Sequence, residues 1–133
     1  PECQTILPRL KTDFFEIINS CINNNLKKID IKWSNRKSLC IVLCAKGYPG
    51  NYKSLNRIKN LKKLLTKKNE FIFHAGTKIK STDIISNGGR VLNFTALSEN
   101  FKLSRDRAIK LIKKLNWKNG FFRKDIGFRV IDK

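Results

Sequence analysis

The sequence predicts an α+β fold: a mostly antiparallel sheet with one or two helices packed on it. Three observations carry that reading. Short apolar runs with β-branched members stand at residues 38–45, 70–74 and 90–97, the pattern of strands buried on one or both faces. Glycine-centred turns separate them, at Gly47, Pro49-Gly50, Gly76 and Asn87-Gly88-Gly89. Two other stretches repeat apolar residues at helical spacing: Phe14, Ile17, Ile18, Cys21 and Ile22, then Ala108, Leu111, Ile112 and Leu115.

Taken in order, residues 1–11 read as extended, because Pro8 resists a helix. Asp13 followed three residues on by Glu16 is a capping box that opens the first helix, and Asn23-Asn24-Asn25 closes it. Residues 38–45 form a buried strand that stops at the turn 46–50. Residues 53–69 place Leu55, Ile58, Leu61, Leu64 and Leu65 among lysines, which suits either a short amphipathic helix or an irregular excursion. Residues 70–74 are a strand, 77–83 a polar hairpin, and Ile84-Ile85 part of a further strand. After the 87–89 turn, residues 90–97 resume as a strand with alternating Val91, Asn93 and Thr95. Ser98 or Ser104 caps the second helix. Phe121-Phe122 and residues 128–131 read as short extended pieces around Asp125-Ile126-Gly127.

Length and composition bound the rest. At 133 residues with 41% hydrophobic content, the chain suits one compact domain with its own core. Its longest apolar run, 39–45, is far short of the roughly 20 residues that span a bilayer, and no signal segment opens the chain. A cytoplasmic location without membrane association is the expectation. The net charge is +19, which first suggests nucleic acid. Lysine is spread throughout, however, with one denser block at Lys59, Lys62, Lys63, Lys67 and Lys68. No basic–aromatic alternation or zinc-finger spacing accompanies it. A solvated face is favoured, and the charge would still draw anionic metabolites. Cys3, Cys21, Cys40 and Cys44 form no C-x-x-C pair, and all four are expected to be free, buried thiols.

The chemistry concentrates in three segments: Lys46-Gly47-Tyr48-Pro49-Gly50, Phe73-His74-Ala75-Gly76-Thr77 and Ser86-Asn87-Gly88-Gly89-Arg90. Each sets glycine beside a cationic or hydroxyl-bearing residue at the edge of a strand. Glycine lets a ligand approach the main chain, and charged donors with freed N–H groups converge on anions. Together they suggest one polar pocket. Arg90, after Gly88 and Gly89, is the first choice as anion anchor, because its fork matches an oxyanion. Lys46 is second. His74 and Thr77 can donate or accept in the same pocket or merely fix the turn. A single histidine without a partner at ligand spacing argues against a metal site. Arg123, Lys124 and Asp125 suggest an ion-pair cluster that fixes a turn, and Trp33 and Trp117 suggest core or interface residues.

These segments, with Glu2-Cys3-Gln4, Leu7-Pro8-Arg9-Leu10-Lys11 and Phe121-Phe122-Arg123-Lys124-Asp125-Ile126-Gly127, resemble the C-terminal region of the glycinamide ribonucleotide synthetase (phosphoribosylamine–glycine ligase) family of ATP-grasp enzymes. The resemblance runs from end to end, interrupted mainly at 53–69. It implies the end of an ATP-grasp domain at 1–30 and the ligase C-terminal domain at 31–133. It implies a reaction that joins glycine to 5-phosphoribosylamine through glycyl phosphate, with ATP and Mg²⁺ (or Mn²⁺) used by the complete enzyme. The family's metal-binding Glu and Asn precede the segment matched by Pro1, so this chain is expected to be a fragment, to bind no cofactor alone and to be inactive alone. Its expected partners are the upstream portion of the enzyme and phosphoribosylamine. Arg90, Gly88, Gly89, Lys46, Gly47, His74, Gly76 and Thr77 are the candidate substrate-binding residues on the phosphoribosyl side, and Arg9 a candidate orienting residue. A basic nucleic-acid-binding module and a non-catalytic interaction domain are the alternatives.

Overall fold

The computed structural model describes residues 1–131. Its centre is a four-stranded antiparallel sheet built from β1 (Lys37–Ala45), β2 (Glu70–His74), β5 (Arg90–Ser98) and β6 (Gly120–Phe121), in the order β2-β5-β1-β6. β3 (Thr77–Lys80) and β4 (Asp83–Ser86) form a separate hairpin. The expected α+β, antiparallel architecture is therefore the one observed.

Strand periodicity sorts the two faces of the sheet. Leu39, Ile41 and Leu43 lie opposite Ala96, Phe94 and Leu92, and this face is buried under α3 (Phe101–Leu115). Ala108, Leu111, Ile112 and Leu115 supply the helix's side of the core, as their i, i+3, i+4, i+7 spacing predicts. The helix is capped by Asn100, whose side chain accepts from Leu103 N, rather than by Ser98 or Ser104. Those two hydroxyls instead bond each other at 2.8 Å, and Ser104 also donates to Lys37 O. At the helix start both hydroxyls bond the Asn100 carbonyl, not a free helix N–H, so they do not serve as the cap.

The opposite face carries Asn93 and Thr95, with stacked Phe71 and Phe73 beside them on β2. Over it lies α1 (Glu2–Ile6), followed by a 3-10 turn at Leu7–Arg9. Residues 1–11 are thus largely helical and not extended. Pro8 falls in the first turn of the 3-10 segment, where its missing N–H and fixed φ cost nothing. Thr95 Oγ1 donates to Gln4 O and ties α1 to the sheet.

α2 (Phe14–Ile22) begins at Asp13, which accepts from Phe15 N as expected. None of its residues is buried, and Phe15 and Ile22 are 73% and 72% exposed. The stretch 53–69 is the irregular alternative, with one 3-10 turn at Leu61–Lys63 whose Leu61 reaches the core. All five lysines of the dense block are exposed. Residues 128–131 form a short helix, α4 (Phe128–Ile131), instead of an extended piece. Trp117 is half-buried against the core and donates to Arg57 O, whereas Trp33 stays exposed. Arg123 donates to both oxygens of Asp125, at 3.1 and 2.5 Å, which holds that carboxyl below its ordinary range.

All four cysteines are free, but Cys3 and Cys21 are exposed, contrary to the expectation of burial. They lie on the two helices that the sheet does not enclose. Burial pushes the Cys40 and Cys44 thiols up from their usual pKa, so both stay protonated at neutral pH.

Candidate functional site

The three glycine-bearing segments meet at the end of β5. Ala45 N donates to Gly89 O at 2.7 Å, Gly76 N to Arg90 O at 2.8 Å, and Asn87 N to Gly76 O at 2.7 Å. These main-chain bonds lock the turns to one another before any side chain is considered. Gly76 is required by proximity: a Cβ there would stand 2.7 Å from Arg90 O and 2.8 Å from Gly88 Cα. Both neighbours are backbone, so neither can swing aside. Gly76→Ala is expected to cost about 1–3 kcal/mol, to be read as a lower urea midpoint; an unchanged midpoint would mean the turns separate freely.

Beside this knot opens a cleft of about 610 Å³, lined by Pro1, Glu2, Cys3, Gln4, Tyr48, Ala75, Gly76, Gly89, Arg90 and Asn93. The floor comes from β5 and the 75–76 turn, one wall from Tyr48, whose ring covers Gly89, and the roof from the start of α1. Arg90 is exposed to the cleft, and no hydrogen bond or ion pair within the described residues engages its guanidinium.

A β-bulge aims it. Leu43 pairs with Leu92 but Cys44 pairs with Arg90, so Val91 is skipped. Regular alternation would set Arg90 on the side of Leu92 and Phe94, away from Asn93; the bulge breaks the alternation, and Arg90 and Asn93 line the same cleft.

The structure divides the remaining candidates. Gly88 lies against Gly76 and supports the floor. His74 Nδ1 lies 2.8 Å from Thr77 Oγ1, but His74 belongs to a different depression with Leu61, Lys62, Leu64, Thr66, Ile72 and Ile84. Lys46 lines a third hollow with Asn51, Tyr52, Lys53, Asn56 and Asn119. Gly47, at φ +101°, makes the turn between them possible. Arg9 donates through Nε and a terminal nitrogen to Ser34 O, at 3.3 and 3.1 Å, and so pins the segment that leads into β1. The expected single pocket therefore gathers Gly76, Gly89 and Arg90, with Gly88 packed behind Gly76, while His74, Thr77, Lys46, Gly47 and Arg9 do not line it. Sequence reasoning passed over Asn93, Gln4 and Tyr48. The asparagine in an otherwise apolar strand was the available signal.

One guanidinium, neutral side-chain donors and a glycine-lined floor suit a small anion with polar substituents. The same lining does not suit a divalent cation: Glu2 is its one carboxylate, and no cluster of three His, Cys, Asp or Glu that could hold a metal lies among the described residues. No helix among the described residues is long and apolar enough to cross a membrane.

Fold and cleft together define an α+β domain that presents a cationic, glycine-walled recess to a small molecule. The family model described as "Phosphoribosylglycinamide synthetase, C domain" matches residues 38–129, and the chain belongs to that family. It is 40% identical over 126 residues to the phosphoribosylamine–glycine ligase of Caldanaerobacter subterraneus, covering 95% of this chain and 30% of the relative. It is 39% identical to the bifunctional purine biosynthetic protein purD of Dictyostelium discoideum, covering 99% of this chain and 16% of that protein. The crystal structure of phosphoribosylamine–glycine ligase from Thermotoga maritima shares the fold, with a TM-score of 0.61 and 24% identity, over 84% of this chain and 28% of that one. The chain thus spans under a third of the length of these relatives. The family match disfavours the nucleic-acid reading of the positive charge.

Proposed function

We propose that this chain is the C-terminal part of a phosphoribosylamine–glycine ligase and lines the phosphoribosyl side of its active-site cleft. The observation that carries the proposal is the convergence of Gly76, Gly89 and Arg90 on one cleft, with Gly88 packed behind Gly76 and the Arg90 guanidinium unpaired among the described residues. In the reaction, ATP phosphorylates the carboxylate of glycine, and the amine of 5-phosphoribosylamine attacks the glycyl phosphate. Glycinamide ribonucleotide, ADP and phosphate result. Such a step needs the amine held at the acyl carbon and water kept out. Arg90 would hold the 5-phosphate, and Gly76 and Gly89, lacking side chains, would let the ligand approach the main chain closely. Chemistry that depends on ATP and on Mg²⁺ or Mn²⁺ would belong to the upstream portion, since this cleft has no carboxylate cluster. That portion is the proposed partner, and a cytoplasmic location goes with the proposal.

The domain boundary near residue 30 is part of the same reading. The family model begins at residue 38, and α2 buries none of its residues in this chain, as befits a helix that packs against an upstream body. His74, Lys46 and Arg9 stand apart from the cleft, and Gly47 shapes the turn that carries Tyr48 over Gly89.

The test mixes this chain with a separately produced upstream portion, each fragment serving alone as control. Phosphate release from Mg-ATP with glycine and freshly made phosphoribosylamine is expected only in the mixture. Silence from two folded fragments would favour a non-catalytic interaction domain.

A further inference from the structure

Asn93 is 5% exposed, yet its side-chain amide takes part in no hydrogen bond within the described residues. It lines the same cleft as Arg90. A buried amide normally finds partners; the fully buried side-chain atoms left without one among the described residues are Ser38 Oγ and Arg105 Nε, whereas the Asn93 amide keeps a small exposure in the cleft. Its neighbour on the same face does find one: Thr95 bonds Gln4 O. An amide left open at the floor of a cleft is therefore available to whatever fills the cleft.

The placement narrows what that is. Arg90 and Asn93 stand three residues apart on one strand, at most about 10 Å at the usual rise, so a ligand with more than one polar group can meet both. A ligand that meets both has an anionic end and, some distance from it, neutral groups that donate and accept at once. Hydroxyls of a sugar phosphate have that character, whereas a carboxylate or a second phosphate would leave the amide's donors and acceptor unequally used. The bulge at Val91 is what brings the two side chains to one cleft. We infer that Asn93 is a specificity-determining residue that hydrogen-bonds the ribose hydroxyls of a ligand whose phosphate is held by Arg90. The inference rests on the reading of the cleft as a phosphoribosyl site.

The test uses the complete ligase carrying these residues, with Asn93→Leu, Asn93→Asp and Arg90→Ala compared by KM for each of the three substrates. Asn93→Leu keeps the shape and removes all donors. It is expected to raise KM for phosphoribosylamine about tenfold, with KM for ATP and for glycine unchanged. Substrate analogues lacking the 2- or 3-hydroxyl should bind the unsubstituted enzyme about as weakly as the natural substrate binds Asn93→Leu, and should lose little further in that variant. If Arg90→Ala raises the phosphoribosylamine KM and Asn93→Leu does not, the inference falls while the cleft reading stands. If neither changes it, both fall. A rise shared equally by all three substrates would mark Asn93 as merely structural and overturn the inference. Should Asn93→Leu fail to fold, Asn93→Asp, of the same shape, is read in its place. The deoxy analogues on the unsubstituted enzyme decide without any variant, since undiminished binding would overturn the proposal.

Discussion

Arg90→Ala, in a complete ligase carrying this chain, is expected to raise the apparent KM for phosphoribosylamine by about 10- to 100-fold. A hydrogen bond to a charged group is worth about 1.5–3 kcal/mol, and each 1.4 kcal/mol is a factor of ten. KM for ATP should stay within about twofold, because the proposal assigns the nucleotide to the upstream portion. Arg90→Lys keeps the charge and loses the planar fork, so it should restore only part of the affinity. The guanidinium is exposed at the mouth of β5, which means its removal leaves the core untouched and the thermal midpoint nearly unchanged. A uniform rise in KM for all substrates, or none, would remove Arg90 from the phosphate site.

The largest effect on stability is expected at Phe94. It is fully buried in the centre of the sheet, between Ile41 of β1 and Ile72 of β2, and beneath α3. Phe94→Ala should cost about 3–5 kcal/mol, the transfer of the ring plus the cavity it leaves. That is a large share of the 5–15 kcal/mol that holds a typical domain together, so much of the variant should be unfolded at modest urea concentration. Phe94→Leu fills most of the space and should lose markedly less. An unaltered midpoint for Phe94→Ala would mean that the sheet and α3 do not share one cooperative core.

How much of this was legible in the sequence depends on whether the signal is periodic. The strands, the hairpin and α3 were readable because burial on one face repeats every two or 3.6 residues. Glycine beside Arg90 was readable because few other turns require that pair. The errors have local causes. Pro8 suggested extended chain, yet proline is at home in the first turn of a helical segment. Asn100 took the capping role because its side chain meets Leu103 N, while Ser98 was already committed to Ser104. His74 fell outside the cleft because it shares the parity of Ile72 on β2, and that face turns toward Leu61 and Ile84. Arg90 entered it only through a skipped residue, and a one-residue bulge leaves no mark in hydrophobic periodicity. Arg9's contact in the fold, the carbonyl of Ser34, is 25 residues away in the chain, a partner that local sequence could not point to.

The tie between Thr95 and Gln4 joins positions 91 residues apart, and it has a kinetic side. The roof of the cleft leaves the ribosome before its floor, because Gln4 precedes Thr95 by 91 residues. Contacts of such wide separation form late, because the entropy of closing the loop must be met before they contribute. The recess should therefore be among the last features to mature, after β1, β5 and α3 have already found one another. A ligand bound across roof and floor would then hold together two segments far apart in sequence, and protection of the Gln4 region from hydrogen exchange would report that the domain had finished folding.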